Sequence, residues 1–218
     1  MSLRYDLLIF DWDGTLMDSA GAIVHSIQAA CADLGWPVPS REAASHIIGL
    51  GLREAVARLF PDLPESEHPR LVERYRHHYL ARDHEIPLFE GARELVHDLY
   101  ARGHLLAVAT GKARHGLARA FEHSGLGACF HATRTADVTF SKPHPAMILE
   151  LLDELGVAPE RALMIGDTSH DLEMARNAGV DSLAAGYGAH PAGSLAVYQP
   201  LEVCNDFGSL SAWLRANA

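Results

Sequence analysis

The sequence predicts an α/β protein: a doubly wound parallel-sheet (Rossmann-like) core with an all-helical segment inserted after the first strand. From residue 91 onward, short apolar runs of the kind buried in parallel sheets alternate with helical segments. Strands separated by helices are joined by right-handed crossovers, which place them parallel in one sheet. Residues 18–85 show helical periodicity and no strand pattern. We therefore expect a core of residues 1–16 and 87–218 and a helical insert of residues 17–86.

The composition argues against a polyanionic partner. The chain has 218 residues, 48% of them apolar, and a formal net charge of −10, so we expect neither nucleic acid nor an anionic membrane as a partner. No apolar run approaches the ~18 residues of a membrane-spanning helix, and the N-terminus shows no signal-peptide pattern. The three cysteines lack metal-ligand spacing and suit a reducing compartment. We expect a cytoplasmic protein, either a monomer or a homodimer.

The insert follows a first strand that is apolar from Leu7 to Phe10. Apolar residues recur at helical spacing from Ile23 to Leu34, and glycines interrupt the next pattern at 49–51. Four helices are predicted, near residues 23–34, 41–48, 52–60 and 66–83. Linkers near residues 15–18 and 84–89 connect the insert to the core.

The second half of the chain alternates regularly between the two kinds of structure. A helix is predicted at 91–102, and three more are predicted to end at about residue 124, at 156 and at Gly179. A last helix is predicted at the C-terminus. Strands are predicted at 105–109, 128–132, 162–165, 181–185 and 201–204, with loops at 141–145 and 186–193. This order is typical of a doubly wound sheet.

Two carboxylates, Asp11 and Asp13, follow the first strand directly, and Gly14 comes next. Like charges this close raise each other's pKa unless a positive charge lies between them. A divalent cation is the usual partner, and carboxylate oxygens suit Mg²⁺. Open α/β sheets bind ligands at the carboxyl ends of their strands. Taken alone, this segment also fits a solvated Asp-x-Asp-Gly turn.

Further polar residues follow the later strands. Thr110 and Asp167 end two of them, and Lys142 and Asp171 lie at helix starts beside the same sheet edge. Free backbone N–H groups such as that of Gly111 favour anions. Carboxylates, an ammonium, a hydroxyl and backbone donors together suit a cation and a phosphate. Each residue also has a structural interpretation, as a strand-end cap, a loop cation or a helix cap.

Together these residues carry a resemblance that covers essentially the whole chain. Four segments, Asp11-Trp12-Asp13-Gly14-Thr15-Leu16, Thr110, Lys142-Pro143 and Gly166-Asp167-x-x-x-Asp171, resemble in order and spacing the four motifs of the haloacid dehalogenase superfamily. The helical insert resembles that family's α-helical cap. Gly186-Tyr187-Gly188 resembles the phosphoglycolate-phosphatase-like branch.

The resemblance implies a phosphatase that hydrolyses a small phosphorylated metabolite through an aspartyl-phosphate. Asp11 would be the nucleophile, and Asp13 would protonate the leaving group and then deprotonate water. The resemblance implies that Mg²⁺ is held by Asp11, the backbone carbonyl of Asp13 and Asp167, with Asp171 close by. The phosphoryl oxygens would be bound by Thr110, the N–H of Gly111 and Lys142.

Substrate choice would depend on the insert, because the sheet edge meets only phosphate and metal. The turn at residues 49–53 resembles the family's cap loop, and Arg53 is the candidate for binding an anionic part of the leaving group. Lys112 is one of only two lysines in the chain, and its role stays open. Tyr75 and Tyr79 are expected in the core of the insert. His144 and His170 are expected to have surface or supporting roles.

The same residues bear on several other functions. Dehalogenases of the superfamily place another residue where Asp13 stands, and phosphonate hydrolases need a cap lysine, which residues 17–85 lack. A sugar-phosphate mutase of the β-phosphoglucomutase type remains open, because Arg53 also fits that cap loop. A phosphoaspartate signalling receiver is the alternative from another class, but receivers lack Asp-x-Asp on the first strand and have no cap. A non-catalytic interaction protein is disfavoured because every catalytic position is filled.

Overall fold

A computed structural model describes residues 4–218 as a six-stranded sheet with helices on both faces. The strands are β1 (Leu7–Phe10), β2 (Leu105–Thr110), β3 (Ala132–Thr135), β4 (Ala162–Gly166), β5 (Asp181–Ala185) and β6 (Val203–Cys204). Their order is β3-β2-β1-β4-β5-β6, and every pairing is parallel. The predicted fold class, a doubly wound parallel sheet, is confirmed.

The central strand β1 is buried on both faces, as its uninterrupted apolar run predicts. Leu8 and Phe10 belong to the core on one side of the sheet, and Leu7 and Ile9 belong to the core on the other. The first core is covered by α5 (Ala92–Ala101), α6 (Arg114–Ser124) and α10 (Phe207–Asn217), the second by α7 (Ala146–Leu155) and α8 (Ser169–Ala178). Each fully buried aliphatic side chain contributes about 1.5–3 kcal/mol, so β1 is firmly anchored.

Four helices between β1 and α5 form a separate helical layer with its own apolar core. They are α1 (Ala20–Leu34), α2 (Arg41–His46), α3 (Leu52–Leu59) and α4 (His68–Leu80). The chain leaves and re-enters the sheet domain side by side, because Met17 forms an antiparallel bridge with Leu88. The sequence predicts the two linkers but not their pairing. No helix within residues 4–218 is both long and apolar enough to cross a membrane.

Three predicted elements are wrong in their position or extent. The strand expected at 128–132 is β3, at Ala132–Thr135, and Gly127–Cys129 is a 3-10 turn. That turn buries Cys129 against the core without strand alternation, and parallel pairing begins only where Ala132 reaches the level of Ala107 on β2. The strand expected at 201–204 is regular only at Val203–Cys204, although the Leu201 N–H also donates to the Ser182 carbonyl oxygen on β5. The predicted loop at 186–193 leads into a short helix, α9 (Ala192–Leu195).

Candidate active site

The carboxylates predicted from the strand ends meet at one edge of the sheet. Strands β1 and β4 are neighbours in register, so Asp11 and Asp167 extend from adjacent strand ends. Asp171 lies in the first turn of α8. One oxygen from each of these three residues lies within 4.8 Å of the others, and none of the three is more than 1% exposed. We refer to Asp11, Asp167 and Asp171 as the acid cluster.

Two glycines allow the backbone to approach the acid cluster closely. A Cβ on Gly14 would lie 2.2 Å from Oδ2 of Asp167, and Gly14 has a φ of +81°, in the left-handed region that favours glycine. A Cβ on Gly188 would lie 2.3 Å from the Cβ of the same aspartate. Gly14 and Gly188 therefore leave space for the side chain of Asp167.

Only one cation contacts the acid cluster among residues 4–218. The Lys142 ammonium lies 3.0 Å from Oδ1 of Asp11 and 2.6 Å from Oδ1 of Asp171, and its side chain is fully buried. Burial raises the pKa of Asp11 to about 7, against the opposing effect of Lys142 and with a further increase from Asp171. Burial, followed by repulsion from Asp11 and Asp171, also raises the pKa of Asp167. Lys142 contacts two of the three carboxylates and not Asp167, so the acid cluster has more carboxyl groups than cations.

The donor set fits a hard divalent cation. Oδ2 of Asp11 is buried and has no hydrogen-bond partner among the described residues. Asp167 accepts single hydrogen bonds from the Thr15 hydroxyl, at 2.8 Å, and the Ala189 N–H, at 2.7 Å, one on each oxygen. Buried carboxylate oxygens in excess of their counter-charge are ligands that Mg²⁺ prefers.

Asp171 has a second task, which its place at a helix start predicts. Its Oδ2 accepts hydrogen bonds from the N–H and from the hydroxyl of Thr168. The N–H bond is one half of a capping box at the start of α8, and the Asp171 N–H, which faces the Thr168 side chain, is the other half. Its Oδ1 accepts from Lys142. Asp171 is therefore a helix-capping residue that also holds the lysine.

The residues predicted to bind phosphate lie around the same point. Thr110 ends β2 and is buried, and its Oγ1 accepts the Lys112 N–H at 3.2 Å. The loop at residues 49–51 of the helical layer lies directly against Gly111, where a Cβ would be 2.5 Å from the Leu50 carbonyl oxygen. This close approach explains the small residue at position 111.

Asp13 points toward the helical layer, and its carboxylate is not part of the acid cluster. Its Oδ1 accepts a hydrogen bond from the Ser19 hydroxyl at 2.7 Å, and Lys112 Nζ lies 2.9 Å from each of its oxygens. The same Nζ lies 3.0 Å from the Tyr79 hydroxyl. The predicted metal contact of Asp13 through its backbone carbonyl stays a prediction.

The roles of Lys112 and Tyr79 could be predicted only in part. Tyr75 and Tyr79 do pack in the core of the helical layer, as expected, but Tyr79 also reaches the site. The scarcity of lysine was the one signal in the sequence for Lys112. Nothing in the sequence linked it to Asp13, which is 99 residues away along the chain.

A cavity of about 530 Å³ opens between the sheet edge and the helical layer. Asp11, Asp13 and Thr110 lie on its sheet side, and Arg53 lines it from the first turn of α3. Its remaining lining is mostly apolar on the side of the helical layer, where it includes Ile23, Ile27, Ile47, Ile48, Leu50, Tyr75 and Leu80. Two of the phosphate-binding candidates, Thr110 and Gly111, therefore face the same space as Arg53, whereas Lys142 is buried beneath it and does not line the cavity.

Three histidines join the helical layer to the sheet domain behind the acid cluster. His170 Nε2 and His190 Nε2 contact the His46 carbonyl oxygen at 2.9 and 3.2 Å. The Ser169 N–H donates to Nδ1 of His190, so the proton of the neutral ring is on Nε2. Burial lowers the pKa of both His170 and His190. His170 is buried and contacts the helical layer, so it does not lie at the surface, and no sequence pattern pointed to His46 or His190.

The family of haloacid dehalogenase-like hydrolases matches residues 8–185. The chain belongs to this family. The match runs from β1 to β5 and so includes all three residues of the acid cluster, Thr110 and Lys142. The predicted family is thereby confirmed.

The relatives of this chain are named for several different enzymatic activities. The chain is 38% identical over 184 residues to the tyrosine-protein kinase PtkA of Mycobacterium tuberculosis, covering 84% of this chain but only 62% of that protein. It is 33% identical over 218 residues to a 5'-nucleotidase of Pseudomonas aeruginosa, covering 99% and 98% of the two chains. It is 32% identical to a phosphoglycolate phosphatase of Agrobacterium fabrum, covering 94% and 90%.

The structure of a hydrolase from Pseudomonas syringae has a TM-score of 0.88 to this chain. The two are 25% identical, and the alignment covers 97% of this chain and 98% of the other. A phosphoglycolate phosphatase among the relatives agrees with the branch that Gly186-Tyr187-Gly188 resembles.

Proposed function

We propose that this protein is a magnesium-dependent phosphatase that hydrolyses a small-molecule phosphate monoester through a phosphorylated Asp11. One observation carries the proposal. Asp11 is fully buried in a cluster with an excess of carboxylates, yet one of its oxygens has no partner among residues 4–218 and its side chain lines a substrate-sized cavity. In a purely structural aspartate this oxygen would be destabilising, because a buried acceptor without a hydrogen-bond partner costs about 1–3 kcal/mol.

In the first step a carboxylate oxygen of Asp11 attacks phosphorus in line with the leaving group. The P–O bond to the leaving group breaks as the bond to Asp11 forms, and Asp13 delivers a proton to the departing alkoxide. Thr110, the Gly111 N–H and Lys142 bind the phosphoryl oxygens. Their task is to stabilise the charge that the phosphoryl group carries through the transition state.

In the second step Asp13 accepts a proton from water, and the resulting hydroxide attacks the phosphorus of the aspartyl-phosphate. The P–O bond to Asp11 breaks, and its electrons return to the carboxylate. Inorganic phosphate leaves and the protein returns to its starting state. Both steps use the same positions of Asp11 and Asp13, on opposite sides of the transferred group.

Asp11 and Asp167, with the backbone carbonyl of Asp13, would hold the Mg²⁺, and Asp171 would lie close by while it orients Lys142. When bound, the ion would neutralise phosphate charge so that an anionic nucleophile can approach. The excess of carboxyl groups over cations in the acid cluster and the unpartnered Asp11 oxygen support this assignment.

We propose that residues 17–86 are a cap that selects the leaving group. The helical layer supplies the apolar side of the cavity, and its loop lies against Gly111. The relatives are named for different phosphorylated compounds, 5'-nucleotides and phosphoglycolate among them, and the cavity of about 530 Å³ has room for leaving groups of both sizes.

The test is release of inorganic phosphate from p-nitrophenyl phosphate and from a panel of about a hundred metabolites. Wild-type protein with Mg²⁺ is expected to turn over, EDTA to abolish turnover, and Asp11→Asn to be inactive while it keeps the wild-type circular dichroism spectrum. Activity in D11N would overturn the mechanism. Conversion of a sugar phosphate into its isomer without phosphate release would favour the mutase instead.

A further inference from the structure

Lys112 makes an arrangement of contacts that the four family motifs do not explain. An ammonium has three N–H donors. In this structure two of them reach the two oxygens of Asp13, each at 2.9 Å, and the third reaches the Tyr79 hydroxyl at 3.0 Å. The Lys112 and Asp13 side chains are only 11% and 10% exposed, so these contacts are shielded from water.

With all its donors engaged, Lys112 is not available as a phosphate ligand in this arrangement. It instead fixes the plane of the Asp13 carboxylate, because both oxygens contact one nitrogen. Oδ1 also accepts from Ser19, whereas Oδ2 accepts only from Lys112 among residues 4–218. Oδ2 therefore keeps an unused lone pair on a carboxylate that lines the cavity.

We propose that Lys112 is a positioning residue that holds Asp13 as the proton acceptor in hydrolysis of the aspartyl-phosphate, and that Tyr79 positions Lys112. The inference rests on the proposed function. In the step concerned, an O–H bond of water breaks and its proton passes to Oδ2 of Asp13. The water oxygen bonds to phosphorus, the P–O bond to Asp11 breaks, and its electron pair remains on the Asp11 carboxylate.

The contact with Tyr79 comes from the other layer of the molecule. Tyr79 lies on α4, and its hydroxyl accepts a hydrogen bond from Lys112, whose Nζ lies 4.9 Å from the centre of the ring. Lys112 therefore has a cation–π contact and a hydrogen bond with the same side chain. Tyr79→Phe removes the hydroxyl and so frees one N–H donor of Lys112, while the contact with the ring remains. This variant therefore separates the contribution of the hydrogen bond from that of the cation–π contact.

Positioning Asp13 depends on the geometry of the N–H donors of Lys112 as well as on its charge. A compact ammonium on a flexible stem can direct three donors to three atoms, whereas the planar guanidinium of arginine has its donors in a fixed fork. We therefore expect Lys112→Arg to fail to replace lysine. Lys112→Met keeps most of the apolar stem and removes all three donors.

The experiment is rapid-quench kinetics of p-nitrophenyl and phenyl phosphate with wild-type protein, K112M, K112R, Y79F and Y5F. Tyr5→Phe is the matched control, because Tyr5 also loses a hydrogen bond to a charged partner, Asp181 at 2.7 Å, but lies outside the cavity. Circular dichroism and thermal melts establish that each variant is folded. Y79F keeps the inference testable if K112M does not fold.

In K112M we expect a burst of p-nitrophenolate of about one equivalent, followed by turnover at least ~10-fold below wild type, since a positioned general base contributes 10²–10⁴-fold. Phosphorylated protein should accumulate by intact mass, and the two substrates should have equal turnover because they share the slow step. Y79F should show the same pattern with a smaller loss, and Y5F should keep the wild-type pattern.

Several results would overturn the inference while leaving the proposed function intact. For K112M, these results are turnover equal to wild type, or reduced turnover without a burst and without phosphorylated protein. For the other variants, they are turnover of K112R equal to wild type, or a Y79F variant that behaves like Y5F. Absence of phosphate release by the wild-type protein would instead overturn the proposed function itself.

Discussion

The Lys142 ammonium lies 3.0 Å from Oδ1 of Asp11, with the lysine side chain wholly buried and that of Asp11 1% exposed. The same nitrogen lies 2.6 Å from Asp171. Burial by itself lowers the pKa of Lys142, but Asp11 and Asp171 outweigh it and raise the pKa. One buried cation therefore has a structural task, compensation of the acid cluster, in addition to the proposed binding of phosphate.

Lys142→Met is expected to lower the free energy of unfolding by about 3–5 kcal/mol in EDTA, because it leaves buried carboxylates without their counter-charge. The measurement is urea denaturation followed by circular dichroism. The double variant D11N/K142M should recover part of this loss, because it removes one of the uncompensated charges as well. Strictly additive effects of the two substitutions would contradict the assignment.

Mg²⁺ is expected to raise the melting temperature of the wild-type protein. At a hundredfold excess over its dissociation constant, a ligand that binds only the folded state adds about 2.7 kcal/mol. Differential scanning fluorimetry with and without EDTA measures the shift. Asp167→Asn should reduce it, whereas Asp137→Asn, an acidic residue of the cavity outside the acid cluster, should retain it.

Gly14→Ala is expected to destabilise the protein by about 1–3 kcal/mol and to remove most activity. The new methyl group would lie 2.2 Å from Asp167 Oδ2 on a backbone with a φ of +81°. Gly21→Ala is the matched control, since Gly21 lies in α1, a Cβ added there would have no atom within 4 Å, and alanine favours the helix. Equal stability of G14A and wild type would show that the site tolerates a displaced Asp167.

His190 predicts a loss of stability in mild acid. Burial and two neighbouring histidines lower its pKa to about 4, whereas the unfolded value is about 6.5. Above pH 6.5 both states are neutral and stability is complete. As the pH falls from 6.5 toward 4, only the unfolded state takes up the proton, so the stability falls by roughly 2 kcal/mol between pH 7 and 5.

Urea denaturation of wild type and His190→Gln at both pH values measures this contribution. The difference between pH 7 and 5 should shrink by roughly that amount in the variant. Tyr198→Phe, a nearby change along the chain that adds no titration in this range, serves as the control. An unchanged pH dependence in H190Q would show that His190 is not the group responsible.

Arg53→Ala is expected to reduce turnover of substrates with a second anionic group more than turnover of p-nitrophenyl phosphate. Arg53 lines the cavity from the helical layer, whereas the phosphate-binding candidates lie at the sheet edge. The ratio of kcat/KM for 2-phosphoglycolate and p-nitrophenyl phosphate reports the effect. Equal losses with both would remove Arg53 from the selection of the leaving group.

The sequence predicts the position of a functional side chain wherever that side chain directly follows the end of a buried strand. Buried apolar runs followed by Asp11, Thr110 and Asp167 predict that these residues share a sheet edge, because parallel strands expose their carboxyl ends on the same side. The strand near residue 130 was misplaced, since an apolar turn and an apolar strand bury similar residues.

Periodicity and motif order thus determined the fold class, the helical insert and the residues that form the acid cluster. The tertiary structure alone decided that Asp13 contacts Lys112, that Lys112 contacts Tyr79, and that His170 and His190 share the His46 carbonyl. Helix and strand patterns reflect interactions between residues close in the sequence. A hydrogen bond between the two layers depends instead on how the layers pack, to within a fraction of an ångström, and no local pattern encodes that distance.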